Sequence, residues 1–329
     1  MNASVSIVVA TFDRPADLRE CLTHLVAQQT RNDVEIIVVD NHPDSSLTPP
    51  VVADFPEVKL VTEPRRGLAY ARNRGFLASH GEIVIATDDD VIAPADWLEK
   101  LLAPFANPDV MIVTGNVLPW RLETKAQRLF ETYGGLGRGN KKKIVNGDWF
   151  RQCNTAVPTW SLGATANASF RASIFHHPQI GLMDEALGPG MPSGVGEDTY
   201  IFYKVLQAGC SIVYEPEAWV WHKHRHDMPA LRRQIFNYSK GHVAYHLTTL
   251  LRDGDWRALI NLAVLLPATH FRRALKRLLG RSEYPLSFIL LEAAGNLIGP
   301  WALWKSRQRV RREGRSETWK RHDAPEAPK

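Results

Sequence analysis

Three consecutive acids, Asp88-Asp89-Asp90, close an apolar run, Glu82-Ile83-Val84-Ile85-Ala86-Thr87. The run is rich in β-branched residues and follows Gly81, so it reads as a short buried strand. Carboxylates clustered at such a strand end repel one another and lose solvation, so stability alone does not favour them. A divalent cation would neutralise them. Hard cations take oxygen ligands, and Mg²⁺ is commonly shared between one or two carboxylates and substrate phosphates. The triplet therefore predicts a metal–diphosphate site at the carboxyl end of a strand. A solvated acidic turn before the helix opening at Pro94-Ala95-Asp96-Trp97-Leu98 would account for the same residues.

The surrounding elements are legible as apolar periods. Strands are expected at Ser4–Ala10, Glu35–Asp40, Val58–Thr62 and Val110–Thr114, and helices at Pro15–Gln28, Gly67–Ser79 and Ala95–Phe105. Continuous apolar strands alternating with helices predict a mostly parallel, doubly wound sheet. Ligands of such sheets bind beyond the carboxyl ends of the strands. Thr11 and Asp13 follow the first strand, Asp40 and Asn41 end the second, and Asp88 to Asp90 end the strand before the triplet. These polar clusters converge on one rim. Residues 134–166 show no period and are expected to be a functional or mobile loop. A Gly-rich stretch, Gly188–Gly196, leads into Glu197-Asp198 and a helix that Gly209 ends, followed by a strand at Ile212–Tyr214.

The chain has 329 residues and 44% hydrophobic residues, enough for a large α/β domain with an appendage. Its three cysteines are scattered, so neither a disulfide framework nor zinc spacing follows. The first apolar stretch, Val5–Ala10, is short and has no basic lead, so secretion is not expected. Residues 271–321 hold 13 Lys/Arg against 4 Glu, whereas the whole chain is only +5. The body is therefore mildly acidic, and the C-terminal third invites an anionic surface. There Ala258–Ala268 is almost wholly apolar, and Leu286–Trp304 is apolar but interrupted by Glu292, Asn296 and Pro300. A carboxylate near mid-span is costly in hydrocarbon, so a helix pair lying on a membrane surface is expected first, ordinary packing on the body second, and a span last.

Several segments resemble family 2 glycosyltransferases. Val5 to Arg14 and Glu35 to Asn41 resemble that family's opening strands, and Gly67 to Gly75 resembles its Arg-Asn-x-Gly helix. Asp88-Asp89-Asp90 stands at the D-x-D position, and Gly196-Glu197-Asp198 resembles the Glu-Asp segment. The likeness covers roughly residues 4–225 in family order. It implies a GT-A fold and transfer of a sugar, usually with inversion, from a nucleotide-diphosphate donor to a hydroxyl. Thr11, Asp13, Asp40, Arg72, Asp88 and Asp89 would then contact the nucleotide sugar. Asp88 and Asp90 would bracket Mn²⁺ or Mg²⁺, with His222 as a further ligand. Asp198 would be the general base, and Glu197 would orient the loop or bind the acceptor. Asp40 also suits a strand-ending turn, Arg72 a solvated helix face, and Glu197-Asp198 an acidic first turn favoured by the helix dipole. Histidines at 222, 224 and 226 alternate in a pattern that zinc could use, but no cysteine or carboxylate partner has suitable spacing.

The expected organisation is a catalytic domain over residues 1–226, with a nucleotide half (1–115) and an acceptor half (116–226). A helical extension (227–314) and a disordered tail (315–329) follow. The expected partners are a UDP-sugar, a glycan or lipid-linked acceptor, and the anionic inner face of the cell membrane through residues 255–312. No nucleic-acid partner is expected, because the body is acidic. The rival from another class is a non-catalytic sugar-nucleotide-binding scaffold, which would tolerate loss of Asp198 or of the D-x-D acids. A sugar-1-phosphate nucleotidyltransferase should carry a Gly-rich basic loop, and residues 11–17 lack one.

Overall fold

The computed structural model describes residues 4–316. The first half runs β1 (Ser4–Thr11), α1 (Pro15–Val26), β2 (Asp33–Asp40), α2 (Pro49–Val52), β3 (Val58–Thr62), α3 (Leu68–Ala78) and β4 (Ile83–Asp88). Next come β5 (Val91–Ile92), α4 (Trp97–Leu102), β6 (Val110–Pro119), α5 (Lys125–Tyr133), β7 (Lys143–Val145) and α6 (Gly147–Gln152). Then β8 (Asn167–Arg171), α7 (Glu197–Gln207) and β9 (Ser211–His222) complete the sheet and its cover. The remainder is helical: α8 (Met228–Asp253), α9 (Arg257–Ile260), a π-helical turn at Asn261–Leu265, α10 (Leu266–Leu278) and α11 (Leu286–Glu313).

Nine strands make one sheet in the order β3-β2-β1-β4-β8-β6-β9-β5, with β7 also on β9. β1, β2, β3 and β4 are mutually parallel, as the continuous apolar runs predict. Alternate residues of these strands feed two cores. Val8, Ile37, Val39 and Val84 pack on one face, and Ile7, Val9, Val38 and Ile85 on the other. Each such fully buried side chain contributes about 1.5–3 kcal/mol before entropy is counted. Register then places the polar strand ends together: Thr11 pairs with Asp40, and Ala10 with Asp88. α3 seats tightly on β1 because residue 75 is glycine; a Cβ there would lie 2.2 Å from Val8 Cγ1. That closeness brings Arg72 to the end of β4.

Several boundaries differ from expectation. The loop expected over 134–166 is ordered by β7, by α6 and by a turn of 3₁₀ helix at Thr159–Leu162. The strand expected at Val110–Thr114 continues to Pro119, and the one at Ile212–Tyr214 continues to His222. Several elements were not expected, α5 and two that matter more for the site among them. β8 runs antiparallel between β4 and β6, and α8 spans 26 residues, N-capped by Asp227 Oδ1 through the Ala230 N–H. The tail expected at 315–329 lies outside the described residues from 317 onward. Ser316 is anchored, its N–H donating to Glu185 Oε1 at 2.9 Å.

Among the described residues, one helix, Leu286–Glu313, is long and apolar enough to cross a membrane by length and composition. It packs along α8, where Gly299 allows close approach; a Cβ there would lie 2.6 Å from Val243 Cβ. Glu292 is not presented to lipid. It is buried and accepts from Tyr284 Oη at 2.7 Å and Arg273 Nη1 at 2.6 Å. The outer side of these helices exposes Phe271, Leu278, Leu290, Leu297, Trp301 and Trp304.

Candidate active site

A cavity of about 1300 Å³ opens beyond the carboxyl ends of β1 and β4. Thr11, Arg72, Asp88, Asp89, Asp90, Glu197, Asp198 and His222 all line it. Asp13 and Asp40 do not. Asp13 turns away in a left-handed conformation (φ 56°) and its Oδ2 meets His42 Nδ1 at 2.7 Å. Asp40 is buried beneath the rim. Its Oδ1 accepts the His42 N–H at 2.9 Å, while its buried Oδ2 has no hydrogen-bond partner. Phe12 stacks on His42 at 4.8 Å between centroids, and Arg66 lies over Phe12.

The acid triplet is divided in its roles. Asp89 turns inward, accepting from Thr11 Oγ1 at 2.7 Å and from Arg14 Nη1 at 3.1 Å. Burial, then the charge of Asp90, pushes its carboxyl up to about 7. Asp90 Oδ2 accepts from the same Arg14 nitrogen at 2.5 Å. Burial works against ionisation of Asp90 too, but nearby positive charge, that of His222 when protonated and then that of Arg14, holds it below the usual range. Asp88, Asp90 and His222 each offer an atom within 4.8 Å of the others. The topology explains why. β5 begins one residue after Asp90, and Val91 pairs with His222 across to β9.

A chain of contacts fixes the His222 ring. Glu131 Oε1 lies 2.8 Å from His224 Nε2, and His224 Nδ1 lies 3.0 Å from His222 Nδ1. The carboxylate accepts from His224 Nε2–H, so in the neutral ring Nδ1 is the acceptor for His222 Nδ1–H. His222 Nε2 then carries a lone pair, and it faces Asp90 Oδ1 at 3.3 Å. That oxygen is buried and has no hydrogen-bond partner. Burial also lowers the His222 pKa, favouring the neutral ring. A lone pair and a carboxylate oxygen facing each other across 3.3 Å suit a cation between them. Two carboxylates and one imidazole fit Mn²⁺ or Mg²⁺ with positions left for phosphate oxygens. His224→Phe keeps a ring against Phe130 but removes the relay. Its Mn²⁺ affinity, titrated by calorimetry, falls about 10–100-fold. An unchanged affinity would show that the relay does not set the ligand.

Arg72 is not on a solvated face. It is 2% exposed and ties three elements together. Its Nη2 donates to Asp88 Oδ1 at 2.6 Å, and its Nη1 to Thr165 Oγ1 at 2.5 Å and Glu197 Oε1 at 3.2 Å. Glu197 is buried at the start of α7, and its Oε2 also accepts the Gly196 N–H. Burial, then the charge of Asp198, pushes its carboxyl up to about 8. Asp198 is half-buried. Its Oδ1 accepts from Thr199 N at 2.6 Å and Thr199 Oγ1 at 3.1 Å. Sequence reasoning gave no role to Arg14, His224 or Glu131, and placed Thr165 only within a segment, Gly163 to Asn167, that resembles the family's acceptor-side wall. Their partners lie far along the chain, so no local period marks them.

The model of the family described as "Glycosyl transferase family 2" matches residues 6–176. The chain belongs to that family. It is similar to the pre-mycofactocin glycosyltransferase of Mycobacterium tuberculosis, 26% identical over 68% of this chain and 43% of the relative. It is also similar to the succinoglycan biosynthesis protein ExoM of Rhizobium meliloti, 26% identical over 66% of this chain and 65% of that one. The chain thus spans less than two thirds of the length of either. Among solved structures it resembles the mannosyltransferase PcManGT from Pyrobaculum calidifontis in complex with GDP-Man and Mn²⁺. The TM-score is 0.53 at 17% identity, over 95% of this chain and 75% of that one. These likenesses and the sheet order give the GT-A fold expected from the motifs, with a helical C-terminal extension.

Proposed function

We propose that this chain is an inverting glycosyltransferase. It moves a sugar from a nucleotide-diphosphate donor, a UDP-sugar, to a hydroxyl of a glycan or lipid-linked glycan in cell-surface polysaccharide synthesis. The observation that carries the reading is the pair of facing acceptors, His222 Nε2 and the unpartnered Asp90 Oδ1, in the cavity that Asp198 also lines. Asp88, Asp90 and His222 would hold Mn²⁺ or Mg²⁺. Such a cation, when bound, offsets charge on the two phosphates and on the departing nucleoside diphosphate. Arg72 holds Asp88 and Glu197 in fixed relation, so the donor end and the acceptor end of the site keep their spacing. Asp198 accepts the proton of the attacking hydroxyl. Phe12 lines the cavity with His42 stacked on it, a ring surface for the base, and the idle Asp40 Oδ2 lies beneath that rim.

The acceptor side of the cavity is walled by the helical extension. Tyr238 and His242 of α8, His270 and Arg273 of α10 and Asn296 of α11 line it. The outer face of α11 exposes Trp301 and Trp304 and that of α10 exposes Phe271, Leu275 and Leu278, with arginines beside them. This supports attachment to the anionic inner face of the cell membrane, with the helices lying on it. A lipid-linked acceptor then reaches the site from that side. Relatives named for polysaccharide or glycosyl transfer are consistent with this setting. Thermal-shift screening of nucleotide sugars, with and without Mn²⁺, tests the donor. UDP-sugars should stabilise the protein only with the cation present; stabilisation by GDP-sugars alone would reassign the base, and none by any nucleotide sugar would remove the reading.

A further inference from the structure

A second cavity, of about 450 Å³, lies between the end of α8, the last turns of α11 and the segment following it. Arg252, Arg307, Arg311 and Arg315 line it, with Asp184 as the one lining acid among the described residues. Asp184 is already committed: it pairs with Arg252, and its Oδ1 accepts the Ala186 N–H. Four guanidinium groups therefore share one carboxylate. Arg307 is the most constrained. Its Nη2 is buried and has no hydrogen-bond partner. A buried donor left unsatisfied is costly and calls for an acceptor. Burial lowers the Arg307 pKa, and the neighbouring Arg252 and Arg311 charges act in the same direction against Asp184.

The geometry points to a phosphate-binding site here, made for a phosphate monoester group. Guanidinium forks match phosphate oxygens, and a doubly charged group with three acceptor oxygens answers several arginines at once. A single carboxylate would leave most of the positive charge unpaired. The surroundings favour a lipid headgroup as its source. Leu251, beside Arg252 in the chain, is exposed, as are Trp256, Trp301 and Trp304. Trp304 precedes Arg311 by seven residues, two helical turns, so the two share one face of α11. The pocket thus sits at the rim of the apolar face, where tryptophans and phosphates meet in a bilayer. This site is separate from the sugar-transfer cavity and does not depend on that reading.

The test uses the full chain in high salt, where attraction between exposed charges is screened but buried contacts persist. Partition onto phosphatidylcholine vesicles doped with phosphatidic acid is measured, and inorganic phosphate is titrated by calorimetry. Arg307→Gln should weaken vesicle binding about tenfold or more, as loss of a charged hydrogen bond does. Arg311→Gln, at an exposed position that leaves folding intact, should weaken it in the same direction. Arg272→Gln, an exposed arginine outside the pocket, should do nothing under these conditions. Loss of vesicle binding without measurable inorganic phosphate binding assigns a headgroup. Phosphate binding that both pocket variants abolish, with vesicle partition unchanged, assigns a soluble phosphate ester to the same site. If both pocket variants match the unaltered protein with both probes, the site does not exist.

Discussion

Asp198→Asn lowers turnover about 10²–10⁴-fold while leaving donor affinity nearly unchanged, the pattern of a lost general base. The substitution preserves shape, and the oxygen of the amide can still accept from Thr199 as Oδ1 does. What disappears is the ability to take a proton from the acceptor hydroxyl. Glu197 cannot substitute for it. Its two oxygens are occupied by Arg72 and Gly196, and its carboxyl, pushed up to about 8, tends to keep its own proton at neutral pH. Steady-state kinetics with saturating acceptor, together with calorimetric donor binding, separate the two effects. Near-normal turnover in the variant would place the base elsewhere.

The nucleotide half was legible because its strands are unbroken β-branched runs, buried on both faces and ending in polar clusters. The acid triplet gave away the rim by violating the rule that buried strands avoid charge. What stayed hidden depends on tertiary pairing. β8 is masked by Asn167 and Ser169, polar residues that are fully buried because they bond backbone carbonyls of β6 and β9. α8 was missed because polar residues such as Arg232, Arg233, Gln234, Asn237, Lys240 and His242 are spread along it. Its contacts are shared between the body, α9 and α11, and several of its polar groups face the cavity, so no single apolar stripe emerges. The His222 position was readable by likeness to the family. The relay through His224 to Glu131 was not, since 93 residues separate the last pair.

Asp90→Asn removes the dependence of nucleoside diphosphate binding on Mn²⁺, and it changes how stability responds to pH. In the metal-free protein burial, then the charge of Asp90, pushes the Asp89 carboxyl up to about 7, against an ordinary value of 3.8. Between those values the folded state holds a proton that the unfolded state has released. Unfolding then sheds a proton, so stability falls as pH rises from about 4 to 7. Burial is the larger cause of the raised value and the charge of Asp90 the next. Replacing Asp90 by asparagine leaves the burial but removes that charge, so the decline becomes shallower. Mn²⁺ opposes the decline in the unaltered protein, because a ligand at a hundred times its Kd stabilises by about 2.7 kcal/mol. It should do so weakly or not at all in the variant, which keeps only Asp88 and His222. Melting temperatures across this pH range, with Mn²⁺ and with EDTA, report all of these terms together. An equal Mn²⁺-induced rise in both proteins would mean that Asp90 is not a ligand and that the facing lone pairs of His222 and Asp90 need another explanation.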